Sequence, residues 1–520
     1  MQPFDPRFLE RLVEELRQSM RKLLSDLCRD FARGYEKEAD LLELPIDWFH
    51  TLARTLPLSD FSNWKVAGWI ETLNDLLYFV DVLVQVRGER SKRDIVAQLH
   101  AEFQEKFYEN SYNEEVFPLG KPEPRLILQR LTGLCRRLAA EVTQESVWLA
   151  PEQACRWARS QRAVSWCIPC DFAANMERVE PPGTLSLGSG KMVFVLPGPT
   201  LGPLKRAGMR AQLLVGPSRI DMALGSRTYP VVEFGTQPRW HCEPQDPKVL
   251  RRTEYGDLLL GPTLVYDRFK VPTAVEQTPP AIRTKIRRAL HAIEASWPEG
   301  NRWLSLLTSR VSPLKARGVV SFSYRHRPGL SVINCYDRDN LDLIDDLIHE
   351  NSHHHLNLLL RKYVMYEMDR NQEIFYSPWR RSLRPIRGIL HATFTFTMGA
   401  LLFERLSAWA ESSQGNKSWK KAGLTRRDLW RARARCFEEI ESVRYAMQDL
   451  QYAGGHLRWL TVSGRQLVGH LETAIDEAER RIAPYRNAVL GSAFGPELRK
   501  HSQQLKQARR TYGPMRLSKA

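Results

Sequence analysis

The chain is short of several things that would have placed it in a known class at once. Its first twenty residues contain acids and no apolar core of a secretory signal, and no stretch reads as the roughly 18–20 uncharged apolar residues of a membrane span. The expectation is a cytoplasmic protein with no membrane partner. Cysteine is sparse: Cys28, Cys135, Cys155, Cys167, Cys170, Cys242, Cys335 and Cys436 are scattered without the spacing of a disulfide framework, which fits a reducing compartment. Cys167-Ile168-Pro169-Cys170 is the one CxxC. With His241-Cys242 it could form a structural zinc site, but a second pair is missing, and buried thiols or a redox pair are the other readings. The glycine-rich run 188–191 is no phosphate loop, because Leu185 stands where the first glycine is needed and Met192 follows Lys191; a hairpin turn explains it better. There is no internal repeat, and low complexity is confined to the basic last twenty residues, which are expected to fray.

What is present begins with charge. Across 520 residues the formal net charge is +16, much of it late, in 417–421, 426–435 and 499–519. Such a surface attracts polyanions or an acidic partner without saying which. A nucleic-acid reading wants a known module or aromatics interleaved on a sheet; neither is visible, so nucleic acid is not an expected partner. A hydrophobic share of 43% can build sizeable cores for two or three domains.

Periodicity divides the chain in three. Residues 1–160 read as a helical N-terminal region, opened by Phe8, Leu9, Leu12, Val13, Leu16, Met20, Leu23, Leu24 and Leu27 at helical spacing. Residues 161–275 are richer in proline and glycine, with short strand-like runs at 184–187, 192–196, 211–215 and 231–234, expected to form an antiparallel sheet. Residues 276–520 return to helix at 281–307, pause for a hairpin at 319–334, and resume at 341–362 and about 425–485, with Gly454-Gly455 as a break. The fold class is therefore α+β, predominantly helical.

The residues that carry chemistry are His349-Glu350-Asn351-Ser352-His353, an HExxH pentapeptide inside the 341–362 helix. Residues four apart lie one turn above each other, so both imidazoles leave one helix face about 5–6 Å apart and can share a metal, with Glu350 beside it. Asp339 or Asn340 caps the helix. Asp345 or Asp346 could fix a ligand tautomer, or be a solvated helix charge. The pentapeptide also occurs by chance on surface helices.

The third ligand decides the chemistry. A metzincin continuation needs Gly at 356 and His at 359; the chain has Leu356 and Leu359. Glu367, Glu373 and Glu404 are available acids without distinctive setting. His391 opens the apolar run 391–403, and a helix returning antiparallel to 341–362 would set it against the motif; a satisfied core histidine is the other reading. Between them, 376–390 is dense in arginine. Arg380 and Arg384, in a loop stiffened by Pro378 and Pro385, would make a carboxylate clamp, unless the stretch is a solvated basic loop.

Several segments resemble the HExxH-motif peptide-modification proteins of ribosomally made peptide pathways, understood as iron and 2-oxoglutarate dependent peptide β-hydroxylases. They are 323–334 with its Pro328-Gly329 turn, the 341–360 helix, Ser377-Pro378-Trp379-Arg380, Arg384-Pro385 and Gly388-Ile389-Leu390-His391, together spanning about 318–410. Departures are Ser382-Leu383, where Asp-Pro is expected, and Ala392, where Gly is usual. The resemblance implies Fe(II) on His349, His353 and His391, with 2-oxoglutarate and O2 at the open positions and the far carboxylate of the keto acid on Arg380 or Arg384. It implies oxidative decarboxylation coupled to hydroxylation of a peptide Cβ, with Glu350 as a base or further ligand. The partner would be a precursor peptide, its acidic leader steered by basic surface. The competing class is a zinc metallopeptidase in which Glu350 deprotonates a metal-bound water. A non-enzymatic binding protein has charge alone in its favour.

Overall fold

The structure is a computed structural model, describing residues 1–88, 125, 128–135, 138–139, 142, 151–160, 166–170, 176–179, 184–188, 193–196, 211–224, 227–241, 243–245, 249–261, 263–265, 273–276, 278–325, 327–367, 370–412 and 418–513. It is α+β and predominantly helical, with sheets in the middle and helices at both ends.

Helix α1 (Pro6–Gly34) starts on Asp5, whose side chain accepts from the Arg7 amide, with proline in its first turn. Its two halves serve different cores. Leu9, Leu12 and Val13 join the core of the C-terminal half, whereas Met20, Leu24, Leu27 and Phe31 pack with Trp48 and Phe49 of α3 (Ile46–Thr55, after α2, Glu36–Leu41) and with α4 (Trp64–Gly88). After α5 (Pro151–Ser160), strands 166–170, 211–215, 219–224, 227–234 and 238–240 form an antiparallel sheet, and its Val215, Ile220, Val231 and Val232 close this second core. Strands 176–179, 184–188, 193–196 and 243–245 make a second antiparallel sheet. All four strand-like runs of the sequence coincide with strands here, and Gly188 pairs antiparallel with Val193; the expected turn itself lies outside the described residues. The cysteine zinc site drawn from Cys167, Cys170 and Cys242 falls outside the described residues and side chains.

A seven-stranded mixed sheet centres on Arg310–Lys315, buried along five of its six residues because parallel neighbours flank it on both sides. Strand 322–323 pairs antiparallel with 330–333, the hairpin expected at 319–334. Its turn needs Gly329, held at φ 88, where an added Cβ would meet Ser309 Oγ at 2.9 Å.

The helix expected over 281–307 is two helices, α6 (Pro280–Ser296) and α7 (Pro298–Leu307), broken because Pro298 has no amide to donate and Trp297 turns to φ −143. Helix α8 (Asn340–Lys362) carries the pentapeptide, and α9 (Ile386–Glu411) runs back against it. Against expectation, α9 is long and apolar enough to pass as a membrane span, but 67% of its most apolar window is buried. It packs against α6, α8, α10 (Arg426–Gly455) and α11 (Val462–Ile482), as a core helix does. α12 (Arg486–Leu490) leads to α13 (Gly495–Tyr512). The basic tail therefore does not fray from residue 501: it stays helical to Tyr512, held by Arg509 on Asp449 and by Tyr512 stacked 5.0 Å from Tyr376.

Candidate metal centre

The sequence of α8 explains its own limits. Asp339 caps it by accepting from the Asp342 amide, and Arg361 and Lys362 oppose the negative end of the helix dipole. Leu341, Ile344, Leu347 and Ile348 bury one side. A partly open stripe runs along the other through Asp345, His349, His353 and Asn357, one residue per turn.

His349 and His353 stand with ring centroids 5.0 Å apart, and the ligand atoms of His349, Glu350 and His353 all lie within 4.8 Å of one another. The return helix is antiparallel, as three contacts in reverse order show. A Cβ on Gly399 would lie 3.6 Å from Asp345 Oδ1, Phe396 sits 5.0 Å from His349, and His391 lies 6.4 Å from His353. His391 is thus brought to the motif, next to His353 but outside the tight cluster. The alternative acids are not brought there. Glu404 is buried thirteen positions further along α9, about 20 Å by helical rise, facing Arg405 at 3.6 Å and Arg481 at 3.5 Å; Glu367 and Glu373 are exposed.

Burial sets the protonation states. It lowers His349 and takes His353 well below the usual histidine value, with His349, His391, His354 and Arg380 adding to the effect on His353. It takes His391 down to about 4, helped by Arg325 and Arg387. All three are neutral at physiological pH, the form that binds metal. Burial pushes the Glu350 carboxyl up to about 8, with Asp346 and Asp345 adding to it against a Ser323 hydroxyl that lowers it. Yet neither Glu350 Oε2 nor Ser323 Oγ has a hydrogen-bond partner of good geometry. Two neutral imidazoles and a buried carboxylate oxygen without a partner are a donor set that fits a divalent metal, whose charge would draw Glu350 back to its ionised form.

Asp345 and Asp346 are not solvated charges. Asp345 Oδ2 takes a 2.7 Å bond from Arg435, and Asp346 Oδ2 takes bonds from Ser321 Oγ at 2.5 Å and Arg338 Nε at 3.2 Å. Burial raises Asp346 to about 6.

The arginine stretch is a short hairpin, strands 375–377 and 382–384. Arg380 sits at its exposed turn, its amide on Ser377 Oγ at 3.3 Å, and its charge acts on His349 and His353. Arg384 pairs in the strand opposite Phe375. Arg325 and Arg387 act on His391 instead. Neither was singled out from the sequence; basic residues near a predicted metal face are the signal that could have found them.

Behind the imidazoles is a wall that sequence reasoning also missed. Trp379 stacks on Phe396 at 4.5 Å and 7°, and Phe396 meets His349 edge-on. Trp379 Nε1 donates to Glu439 Oε2 at 2.9 Å, and Arg435 bridges from Glu439, 3.9 Å away, to Asp345. The visible signal is Arg435 and Glu439 four apart on a helix that also offers Phe437 and Ile440 to the core.

Comparison with protein-family models and with curated protein sequences finds no match for this chain.

Proposed function

We propose that this protein is an Fe(II) and 2-oxoglutarate dependent hydroxylase acting on a side-chain Cβ of a ribosomally made precursor peptide, in the cytoplasm. The observation that carries the reading is the meeting of His391 with His353 across antiparallel helices, beside a motif whose rim holds Arg380, Arg325 and Arg387. His349 and His353 would hold the metal with His391 or Glu350 as the third donor, and a bound iron with its keto acid would supply the dioxygen chemistry. The chain's own residues do the rest. Arg380 pairs a carboxylate at the mouth, the Trp379–Phe396 wall excludes water behind His349, and Glu350 holds or releases a proton beside the donors. Acidic leader residues are drawn to the basic surface.

The test is anaerobic addition of Fe(II) and 2-oxoglutarate to metal-free protein, watching for the visible charge-transfer band of a chelated keto acid. A band that weakens in Arg380→Ala supports the reading. Absence of a band, with tight zinc binding and peptide cleavage, favours the zinc metallopeptidase. One feature speaks for that alternative: a Glu350 carboxylate oxygen lies within 4.8 Å of a ring nitrogen of each imidazole and its Oε2 has no hydrogen-bond partner, as a general base for metal-bound water would be placed.

A further inference from the structure

The wall behind His349 is held from two sides. Its hairpin, 375–384, carries Tyr376 on one strand and Trp379 and Arg380 at the turn. Trp379 is anchored inward, on Phe396 at 4.5 Å and on Glu439, and Phe396 meets His349 at 5.0 Å. Tyr376 is anchored outward, on α13, which packs against strand 375–377. Its ring stacks on Tyr512, the last residue of α13, at 5.0 Å and 4°, and meets Tyr445 of α10 edge-on at 5.9 Å.

Helix α13 is seated on α10 by charge and rings more than by apolar burial. Of its 18 residues, Gly495, Leu498 and Ala508 are buried. Arg509 forms an ion pair with Asp449, which is 2% exposed, and donates to the Tyr445 carbonyl at 2.5 Å. Its guanidinium lies 3.6 Å from the centre of the Tyr445 ring, and His501 adds a 3.0 Å contact with Ser442 Oγ. Arg509 thereby fixes the ring that Tyr376 meets. Tyr512, three positions on and so on the same side of the helix, reaches Tyr376 itself. Beyond the turn, Arg381 is held at φ 52, a conformation that residues with a side chain keep where their surroundings impose it.

We infer that α13 braces the hairpin from outside and that Tyr512 is a positioning residue, its stack on Tyr376 setting where Trp379 and Arg380 stand beside the candidate metal donors. Trp379 and Arg380 follow Tyr376 by three and four residues within one short hairpin, so freeing the Tyr376 end loosens the turn that both occupy. What the brace does for turnover rests on the hydroxylase reading, in which Arg380 pairs a carboxylate of the keto acid; the brace itself does not.

Hydrogen exchange of the full-length, metal-free protein, read by mass spectrometry, follows the Arg380 and Arg381 amides, which donate to Ser377 Oγ and to the Ser377 carbonyl. Tyr512 is 42% exposed, so Tyr512→Ala takes little from the core. Loss of the aromatic pair should speed exchange across 375–385 about fivefold, with 341–362 unchanged and Tyr512→Phe matching the parent. In the Fe(II) form, half-saturation of the keto-acid band should need about fivefold more 2-oxoglutarate in Tyr512→Ala, at unchanged Fe(II) affinity and with Tyr512→Phe again like the parent. Unchanged exchange of 375–385 overturns the brace, as does equal acceleration of 341–362 or an alanine-like Tyr512→Phe. Faster exchange with undiminished affinity for 2-oxoglutarate overturns the positioning role. A parent protein without the band refutes the hydroxylase reading, and the exchange result then decides the brace alone.

Discussion

Four histidines lie between positions 349 and 355 of one helix, and they divide into two pairs that share a residue type and little else. His349 and His353 sit on the partly open stripe, edge to edge, with Glu350 beside them. His354 and His355 are buried off that stripe and are engaged by protein atoms there, His354 at both ring nitrogens and His355 at Nε2, with its buried Nδ1 left without a partner. Gly329 donates its amide to His354 Nδ1 at 3.3 Å while Ser331 Oγ lies 3.2 Å from Nε2, and His355 Nε2 donates to the Pro3 carbonyl at 2.7 Å amid Phe4, Trp303 and Phe394. What separates a candidate ligand from a structural histidine is its surroundings: backbone, hydroxyl and aromatic neighbours hold His354 and His355, whereas His349 and His353 face each other beside Glu350 in a cluster that could hold an ion.

The comparison breaks first at the ligands. His353→Ala should lower affinity for Fe(II) or its spectroscopic substitute Co(II) by ~100-fold or more while far-UV dichroism stays unchanged, measured by metal titration. Retained affinity would remove the distinction between the pairs. His391→Ala should abolish metal-dependent turnover with the fold kept; persistent turnover would return His391 to the core and make Glu350 the third donor.

The opposite pair should behave oppositely. His355→Ala leaves a void among aromatics and frees the Pro3 carbonyl, so it should cost about 2–4 kcal/mol in chemical denaturation and leave metal affinity within about twofold. Large loss of metal with little loss of stability would invert the assignment.

Smaller effects test the wall. Trp379→Phe keeps the ring on Phe396 but removes the donor to Glu439, and should cost about 1–2 kcal/mol. Glu439 itself is pushed up to about 8, by burial first, against the lowering influence of Arg435 and Trp379. A carboxyl whose folded pKa exceeds its unfolded value holds its proton longer in the folded state. Stability therefore falls as pH rises from about 4.5 toward 8 and levels beyond. Glu439→Gln should flatten that decline in urea midpoints taken across the window; an unchanged slope would show that Glu439 is ionised throughout.

Legibility varied with the range of the interaction. The bounds of α8 were readable because Asp339, the apolar stripe and the terminal Arg361 and Lys362 act within a few residues of the chain. The break at Trp297 was missed although Pro298 signals it, because the apolar period continues through both helices. The clamp was less legible: Arg380, Arg384 and Arg387 are alike as residue types, and only the hairpin 375–384 and the entry into α9 determine where each charge stands, Arg387 being one whose charge acts on His391.

By itself, the sequence determined a helix bearing two imidazoles and a carboxylate one turn apart, because helical geometry places i, i+1 and i+4 without help from the rest of the fold. Tertiary structure alone decided that His391 comes to lie 6.4 Å from His353, that His354 and His355 turn to other partners, and that Trp379, Arg435 and Glu439 stand behind. Those relations join positions 17 to 352 residues apart, and those around the metal face exist because α9 packs its apolar surface against both α8 and α10.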